Sequence, residues 1–329
     1  MKTLYGPIYG YPIHIGRGAF CQLQYLLPQG KHLWVVDSEV ARLYAPLLQD
    51  KNVYVVPHGE GSKDLSVYQA LLAAMEKAGL GRQDTVVAVG GGVVGDLVGF
   101  AAATYLRGVQ LWQVPTTLVA MIDSSLGHKN GLNFGGYKNQ IGTFYAPQGI
   151  LMDLDFLLTL PKEEWRSGRG EMLKYACLLG GDEGRLLLEG EVTEELVALC
   201  VEYKNKLVGK DPYDRGERRL LNLGHTFGHA YESLSGMTIP HGVAVAMGLS
   251  ALAAHAFRSG TMPVEEYQLL QEALEDLDLP KAPVGALGVA LSHDKKSTQG
   301  GIDMVVMERM GACRVERLSH EEVLCRYPF

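Results

Sequence analysis

The sequence predicts an α/β domain over residues 1–150 followed by a mainly α-helical domain over 151–329. Three observations predict it. Short apolar, β-branched runs alternate with helical segments through the first half. A glycine-rich turn follows the strongest of those runs, and beyond about residue 150 the strand signature gives way to a series of helix-favouring segments.

Leu33 to Asp37 is the first clear strand run, with a helix over Glu39 to Leu48. Lys51 to Pro57 repeats the strand signature. Leu65 to Gly79 places Tyr68, Leu71, Leu72 and Met75 at three-to-four spacing, one face of an amphipathic helix. Thr85 to Val89 has no polar alternation, as suits a parallel strand covered on both faces. Gln110 to Val114 adds one more strand. In the second half, Pro161 to Leu179, Val192 to Val208, Thr226 to Leu234, Gly242 to Arg258 and Val264 to Asp276 favour helix, and Ile302 to Met307 with Cys313 to Leu318 reads as a late hairpin across Gly311.

Composition excludes several classes. With 47% apolar and 20% charged residues the chain is globular, and a net charge of −7 argues against a nucleic-acid partner. No run reaches the roughly 20 apolar residues of a membrane span; Gly242 to Ala254 reads as a buried helix. The N-terminus has no signal-peptide pattern, and five scattered cysteines outside any C-x-x-C pair fit a reducing cytoplasm. Glycine is the outlier: 40 in 329 residues, about 12% against a background of roughly 7%.

Gly90-Gly91-Gly92-Val93-Val94-Gly95-Asp96 opens a helix directly after a strand. There, glycines permit close approach and exposed N–H groups favour an anion such as a pyrophosphate, although a purely structural tight turn fits as well. Asp37, at a strand end, suits either a ribose hydroxyl or a helix N-cap. Gly224-His225-Thr226-Phe227-Gly228-His229 sets two imidazoles at i and i+4, and His241 follows 12 residues later; with one carboxylate they suit Zn²⁺, and spacing does not choose which of them ligate. The stretch Asp123 to Asn139 reads as a glycine-rich loop that either cradles a phosphate through Lys129 and Lys138 or lies solvated on the surface. Arg107, Lys174, Lys204, Arg218 and Lys295-Lys296 are cations whose ordinary role is surface solvation.

Taken together, the chain resembles the 3-dehydroquinate synthase family of sugar-phosphate cyclases. The resemblance runs nearly end to end, through His58-Gly59-Glu60-Gly61-Ser62-Lys63, Gly90 to Phe100, Tyr105 to Gly108, Pro115-Thr116-Thr117, Ile122 to Ser125, Lys138-Asn139, Gly170 to Lys174, Gly216 to Glu232, His241-Gly242 and Asp294 to Lys296. It implies a Rossmann-like NAD domain ahead of a helical metal domain. Glu171, His225 and His241 would hold Zn²⁺ or Co²⁺, leaving His229 as a catalytic or orienting histidine. NAD would contact Asp37, His58, Glu60, Lys63, Gly91, Gly92, Val93, Val94, Gly95, Asp96, Thr116, Thr117, Lys129, Lys138, Phe156 and Thr159. Lys129, Lys174, Asp123 and Asn222 would join His229 in catalysis. Asn139, Lys204, Arg218 and Lys296 would bind substrate, with Arg107 reaching across a homodimer interface. The implied reaction converts 3-deoxy-D-arabino-heptulosonate 7-phosphate to 3-dehydroquinate and phosphate by transient oxidation, elimination, reduction and intramolecular aldol closure, with no net redox.

The chain departs from the family at three places. Gly127-His128-Lys129-Asn130 stands where Gly-Gly-Lys-Thr is usual, Val243 replaces the acid of a His-Gly-Glu, and Asp214 stands where Glu is common. Three alternatives remain beside the main reading: a cyclase of the amino-dehydroquinate or inosose synthase type, an iron-type metal-dependent alcohol dehydrogenase, and a catalytically silent paralogue that only binds nucleotide or partner proteins.

Overall fold

A computed structural model describes residues 1–281, 297, 298 and 301–327. Its contacts divide into two compact units, Met1–Leu160 with Lys204–Gly209, and Pro161–Tyr203 with Lys210–Phe329.

The first unit is built on a seven-stranded sheet. In chain order its elements are β1 (Lys2–Tyr5), β2 (Pro12–Gly16), α1 (Leu23–Leu26), β3 (His32–Asp37), α2 (Ser38–Leu43), β4 (Val53–Val56), α3 (Leu65–Lys77), β5 (Thr85–Gly90), α4 (Gly92–Thr104), β6 (Gln110–Pro115), the hairpin β7 (Lys129–Phe134) and β8 (Tyr137–Phe144), and β9 (Gly149–Asp153). The sheet order is β1-β2-β9-β6-β5-β3-β4, parallel except for β1 against β2. Every residue of β5 is buried, because both faces are covered. The two-residue strand period sends Leu33, Val35, Val86, Ala88 and Leu111 into one core with Leu71 and Met75 of α3 and Leu97 and Ala101 of α4. Trp34, Val36, Val87, Val89, Trp112 and Val114 enter the opposite core with Phe20, Leu23 and Phe156. From β3 the chain steps one way to β4, and from β5 onward it steps the other way. The switch point therefore lies between the carboxyl ends of β3 and β5, where parallel α/β sheets bind ligands.

Two sequence expectations change here. Residue 150 falls inside β9, which pairs in parallel with both β2 and β6, and the contacts divide after Leu160. The stretch Asp123 to Asn139 is not a loop. A π-helical turn over Ala120–Ser124 leads into the β7–β8 hairpin, which reverses at Gly135 and Gly136 with φ of 60° and 80°. The glycines in these strands dilute the apolar alternation that would have marked them.

The second unit is mainly helical: α5 (Lys162–Leu179), α6 (Gly181–Glu189), α7 (Glu194–Lys210, whose Lys204–Gly209 belong to the first unit), α8 (His225–Leu234), α9 (His241–Arg258) and α10 (Val264–Glu275). The strands β10 (Ser297–Thr298), β11 (Gly301–Arg309) and β12 (Ala312–Leu318) form a small antiparallel sheet before α11 (His320–Arg326). Gly311, at φ 77°, makes the expected turn. None of the five cysteines forms a disulfide, and among the described residues no helix is long and apolar enough to cross a membrane.

Candidate functional site

In the first unit the switch point is occupied by Asp37 and the Gly90–Asp96 turn. Asp37 caps α2 by accepting from the Glu39 amide at 2.8 Å, and its two oxygens lie 3.2 and 3.1 Å from His58 Nδ1. A Cβ on Gly90 would come 2.8 Å from Val94 Cβ and 3.2 Å from Asp37 Cβ, so this glycine lets α4 start against the end of β3. No side chain caps the thirteen-residue α4, whose first turn offers its amides to an anion. Thr116 donates its amide to the Gly90 carbonyl at 3.0 Å, and the Thr117 hydroxyl accepts from Ala120 N.

Beside this turn a polar network joins three elements. Buried Lys63 donates to Asp96 Oδ2 at 2.5 Å and also to Asn139 Oδ1. Asn133 ties the set together: its amide donates to the Lys63 carbonyl at 2.8 Å, its Nδ2 to Glu60 Oε1 at 2.8 Å, and its Oδ1 accepts from the Asn139 amide at 2.9 Å. Burial pushes the Asp96 carboxyl up to about 6, against the opposing pull of Lys63. Asp96, Lys129, Asn130, Asn139 and Phe144 line a cavity of about 290 Å³. Lys204, also buried, donates to the carbonyl and Oδ1 of Asp123 at 2.5 and 2.8 Å. Lys138 is exposed on β8. Phe156 lies in the apolar core against Phe20 and Tyr44, and the Thr159 hydroxyl is 2.7 Å from Tyr44 OH. Arg107 is exposed in a left-handed turn with Leu106, at φ 64° and 51°.

In the second unit, three helices bring one carboxylate and two imidazoles together. Glu171 of α5 is 1% exposed; its Oε1 lies 3.2 Å from His241 Nε2 and 3.6 Å from His225 Nε2, while Oε2 pairs with fully buried Lys174 at 2.6 Å. The reason they meet is backbone contact at glycines. Gly170, beside Glu171, packs against the carbonyl of Gly242, beside His241, and a Cβ on Gly242 would overlap the Ser167 carbonyl. A Cβ on Gly228 of α8 would lie 3.1 Å from Val245 N of α9, and one on Gly224 would lie 2.8 Å from Val245 O. Without side chains at these positions the helices pack at backbone distance, and short ligands reach one point.

Second contacts set the ring orientations. His225 Nδ1 is 3.1 Å from the Leu223 carbonyl, to which only an N–H can donate, so Nε2 carries the lone pair toward Glu171. Burial holds His225 well below the ordinary histidine range. Burial pulls His241 down too, but hydrogen bonds to Glu171 on Nε2 and Glu232 on Nδ1, 3.2 Å each, outweigh it and hold the imidazole up at about 10. Donor atoms of Glu171, His225 and His241 all lie within 4.8 Å of one another, as do those of His229, Glu232 and His241. One carboxylate oxygen and two converging imidazole nitrogens are a donor set that fits a divalent metal such as zinc, with room for substrate oxygens. The ring of exposed His229 stands 5.6 Å from that of His225 and 5.9 Å from that of His241.

The models of the 3-dehydroquinate synthase N-terminal and C-terminal domains match residues 53–167 and 168–297 in succession. The chain belongs to the 3-dehydroquinate synthase family. A family relative, the 3-dehydroquinate synthase of Streptococcus pneumoniae serotype 4 (strain ATCC BAA-334 / TIGR4), is 38% identical over 342 aligned positions covering 96% of each chain. Among solved structures, the 2-epi-5-epi-valiolone synthase of Streptomyces hygroscopicus subsp. jinggangensis 5008 with NAD⁺ and Zn²⁺ superposes with a TM-score of 0.85 at 25% identity, covering 99% of this chain and 98% of its own. A 2-deoxy-scyllo-inosose synthase complexed with carbaglucose-6-phosphate, NAD⁺ and Co²⁺ has the same fold, with a TM-score of 0.84 at 23% identity over 99% of each chain.

The remaining family positions are located as follows. Arg218 is buried and donates to the Pro212 carbonyl at 2.8 Å, and Asn222 donates to the Arg219 carbonyl at 3.1 Å. Asp214 takes a left-handed φ of 57°, and Val243 is buried in α9. Lys296 lies outside the described residues. Sequence reasoning passed over Glu232 and Asn133. Glu232 had a signal, since His225, His229 and Glu232 fall at i, i+4 and i+7 on one helix face. Asn133 has none, because its contacts exist only once β7 and β8 pair.

Proposed function

We propose that this chain is a 3-dehydroquinate synthase, an NAD- and divalent-metal-dependent lyase that converts 3-deoxy-D-arabino-heptulosonate 7-phosphate to 3-dehydroquinate and phosphate. The observation that carries the reading is the convergence of Glu171, His225 and His241 in a chain of this family. The 38% identical relative supports the substrate, and the cyclases holding NAD⁺ with Zn²⁺ or Co²⁺ support the cofactors.

Glu171, His225 and His241 would hold the metal. Asp37, His58, Glu60, Lys63, Gly91 to Asp96, Thr116, Thr117, Lys129 and Lys138 would hold NAD, with Phe156 supporting from the core and exposed Thr159 from the surface. When bound, the pair supplies a reversible hydride acceptor and Lewis acidity for the hydroxyl that is transiently oxidised. The chain's own groups do the rest. Lys174, paired with Glu171, keeps a positive charge beside the carboxylate in a buried setting. His229, exposed next to the two ligand histidines, is suited to hold or pass a proton. Lys129 and Asn139 border the cavity of the first unit and would receive an anionic substrate group, Asp123 with Lys204 would orient substrate hydroxyls, and Arg218, Asn222 and Lys296 are the further substrate-binding positions that the family resemblance implies. A cytoplasmic homodimer with Arg107 at its interface belongs to the same reading, supported by the family.

Phosphate release from the heptulosonate phosphate, with NAD⁺ and Zn²⁺ or Co²⁺ present and no net NADH formed, tests the proposal. Absence of release from fully metal-loaded protein, or net NADH accumulation with a simple polyol, overturns it.

A further inference from the structure

His128 stands where the family usually has glycine, and it keeps the glycine-like backbone: its φ is 67°, a left-handed conformation that side chains avoid, directly after Gly127 at φ 85°. Something must hold it there. The residue is 6% exposed, its Nε2 is 3.1 Å from Tyr11 OH, and its ring centroid is 5.6 Å from those of both Tyr9 and Tyr11. Its carbonyl accepts from Tyr145 N at 2.8 Å and from Asn130 Nδ2 at 3.0 Å. The imidazole is thus clamped to the connection between β1 and β2, while the carbonyl is tied to the end of the β7–β8 hairpin. That connection is itself strained at Ile8, a β-branched residue at φ 71°. Two unfavourable turns brace each other through one ring. The residue after the clamp is Lys129, which opens β7 opposite Phe144 and borders the 290 Å³ cavity with Asp96 and Asn139.

We propose that His128 is a positioning residue: through Tyr9 and Tyr11 it fixes the turn that aims the Lys129 ammonium into this cavity, toward an anionic group of the substrate. The inference rests on the proposed substrate class, a sugar phosphate. It concerns His128, which this chain does not share with the usual family pattern.

The test uses the NAD⁺- and Zn²⁺-loaded protein and the variants His128→Gly, Tyr11→Phe, their combination, and Lys129→Ala as comparator. His128→Gly suits the left-handed turn, and Tyr11→Phe keeps the imidazole but removes its hydroxyl partner. Both are expected to raise KM for the heptulosonate phosphate about three- to tenfold with kcat held within about twofold, and the double variant is expected to be no worse than His128→Gly. Inorganic phosphate, titrated calorimetrically, is expected to bind more weakly to His128→Gly and Lys129→Ala in parallel. This second readout decides the point even if wild-type protein releases no phosphate from the heptulosonate substrate. A lowered melting temperature with KM and phosphate affinity unchanged in both single variants makes the clamp merely structural and overturns the proposal. So does a Lys129→Ala variant that leaves phosphate affinity and KM untouched.

Discussion

Gly242→Ala is a one-methyl perturbation of the metal-site geometry. The new Cβ would overlap the Ser167 carbonyl and lie 3.0 Å from Ser167 Cα, so α5 and α9 must part by on the order of 1 Å before the contact becomes ordinary. Glu171 Oε1 and His241 Nε2, 3.2 Å apart, ride on those same two helices, one turn from Ser167 and one residue from Gly242, and would separate by a similar amount. Zinc ligand distances tolerate only about 0.2 Å, so metal affinity should fall at least about tenfold. Overpacking costs roughly 1–3 kcal/mol, offset by about 0.5–1 kcal/mol from replacing a helical glycine with alanine. Competition with a chromophoric chelator measures the affinity, and denaturant unfolding measures the stability. Gly209→Ala in α7, whose methyl would meet only Pro7 Cβ at 3.5 Å, is the control expected to leave metal affinity unchanged and to raise stability by up to about 0.5–1 kcal/mol. Wild-type metal affinity and stability in Gly242→Ala would refute the claim that glycine contact builds the site.

Three further outcomes are expected. Glu232→Ala should weaken Zn²⁺ binding about 10–100-fold in the chelator assay, because His241 Nδ1 loses its acceptor; Glu232→Gln should lose less, and equal affinity in all three proteins would contradict the orienting role. Lys174→Met should destabilise the metal-free protein by about 3 kcal/mol and the Zn²⁺-loaded protein by less, since a bound dication replaces the missing charge beside buried Glu171; equal losses would argue against a shared charge site. Asp96 titrates near 6 in the folded chain and near 3.8 when unfolded, so its burial favours the protonated form. Its contribution to stability is full below pH 3.8 and is lost as pH rises through about 6, by roughly 2–3 kcal/mol. Asp96→Asn should remove that component from the pH profile of NAD-free protein, and an unchanged profile would count against it.

The long periodic segments were legible without coordinates. β5 and α9 announced themselves by length and apolar content, and the His225–His229 spacing needed only the helix repeat. The hairpin and β9 were not legible, because strands of five to eight residues with glycine inside them, as in β7 and β8, or at their start, as in β9, carry too little pattern to separate them from loops. The glycine excess shows the limit best. In sequence, the run from Gly224 to Gly242 reads as backbone making way for a ligand. In the fold, Gly170, Gly224, Gly228 and Gly242 make way for one another's helices, and the ligand site is the consequence.

By itself, then, the sequence determined the α/β-then-helical order, the strand-to-helix glycine turn and the residue types able to hold a metal, all of which follow from local periodicity and side-chain chemistry. Tertiary structure decided which atoms meet. It set Glu232 against His241, made Asn133 the link between Glu60, Lys63 and Asn139, and clamped His128 between two tyrosines 117 and 119 residues away in sequence. Such pairings depend on packing between distant segments, and no local signal encodes the 3 Å that separates a partner from a bystander.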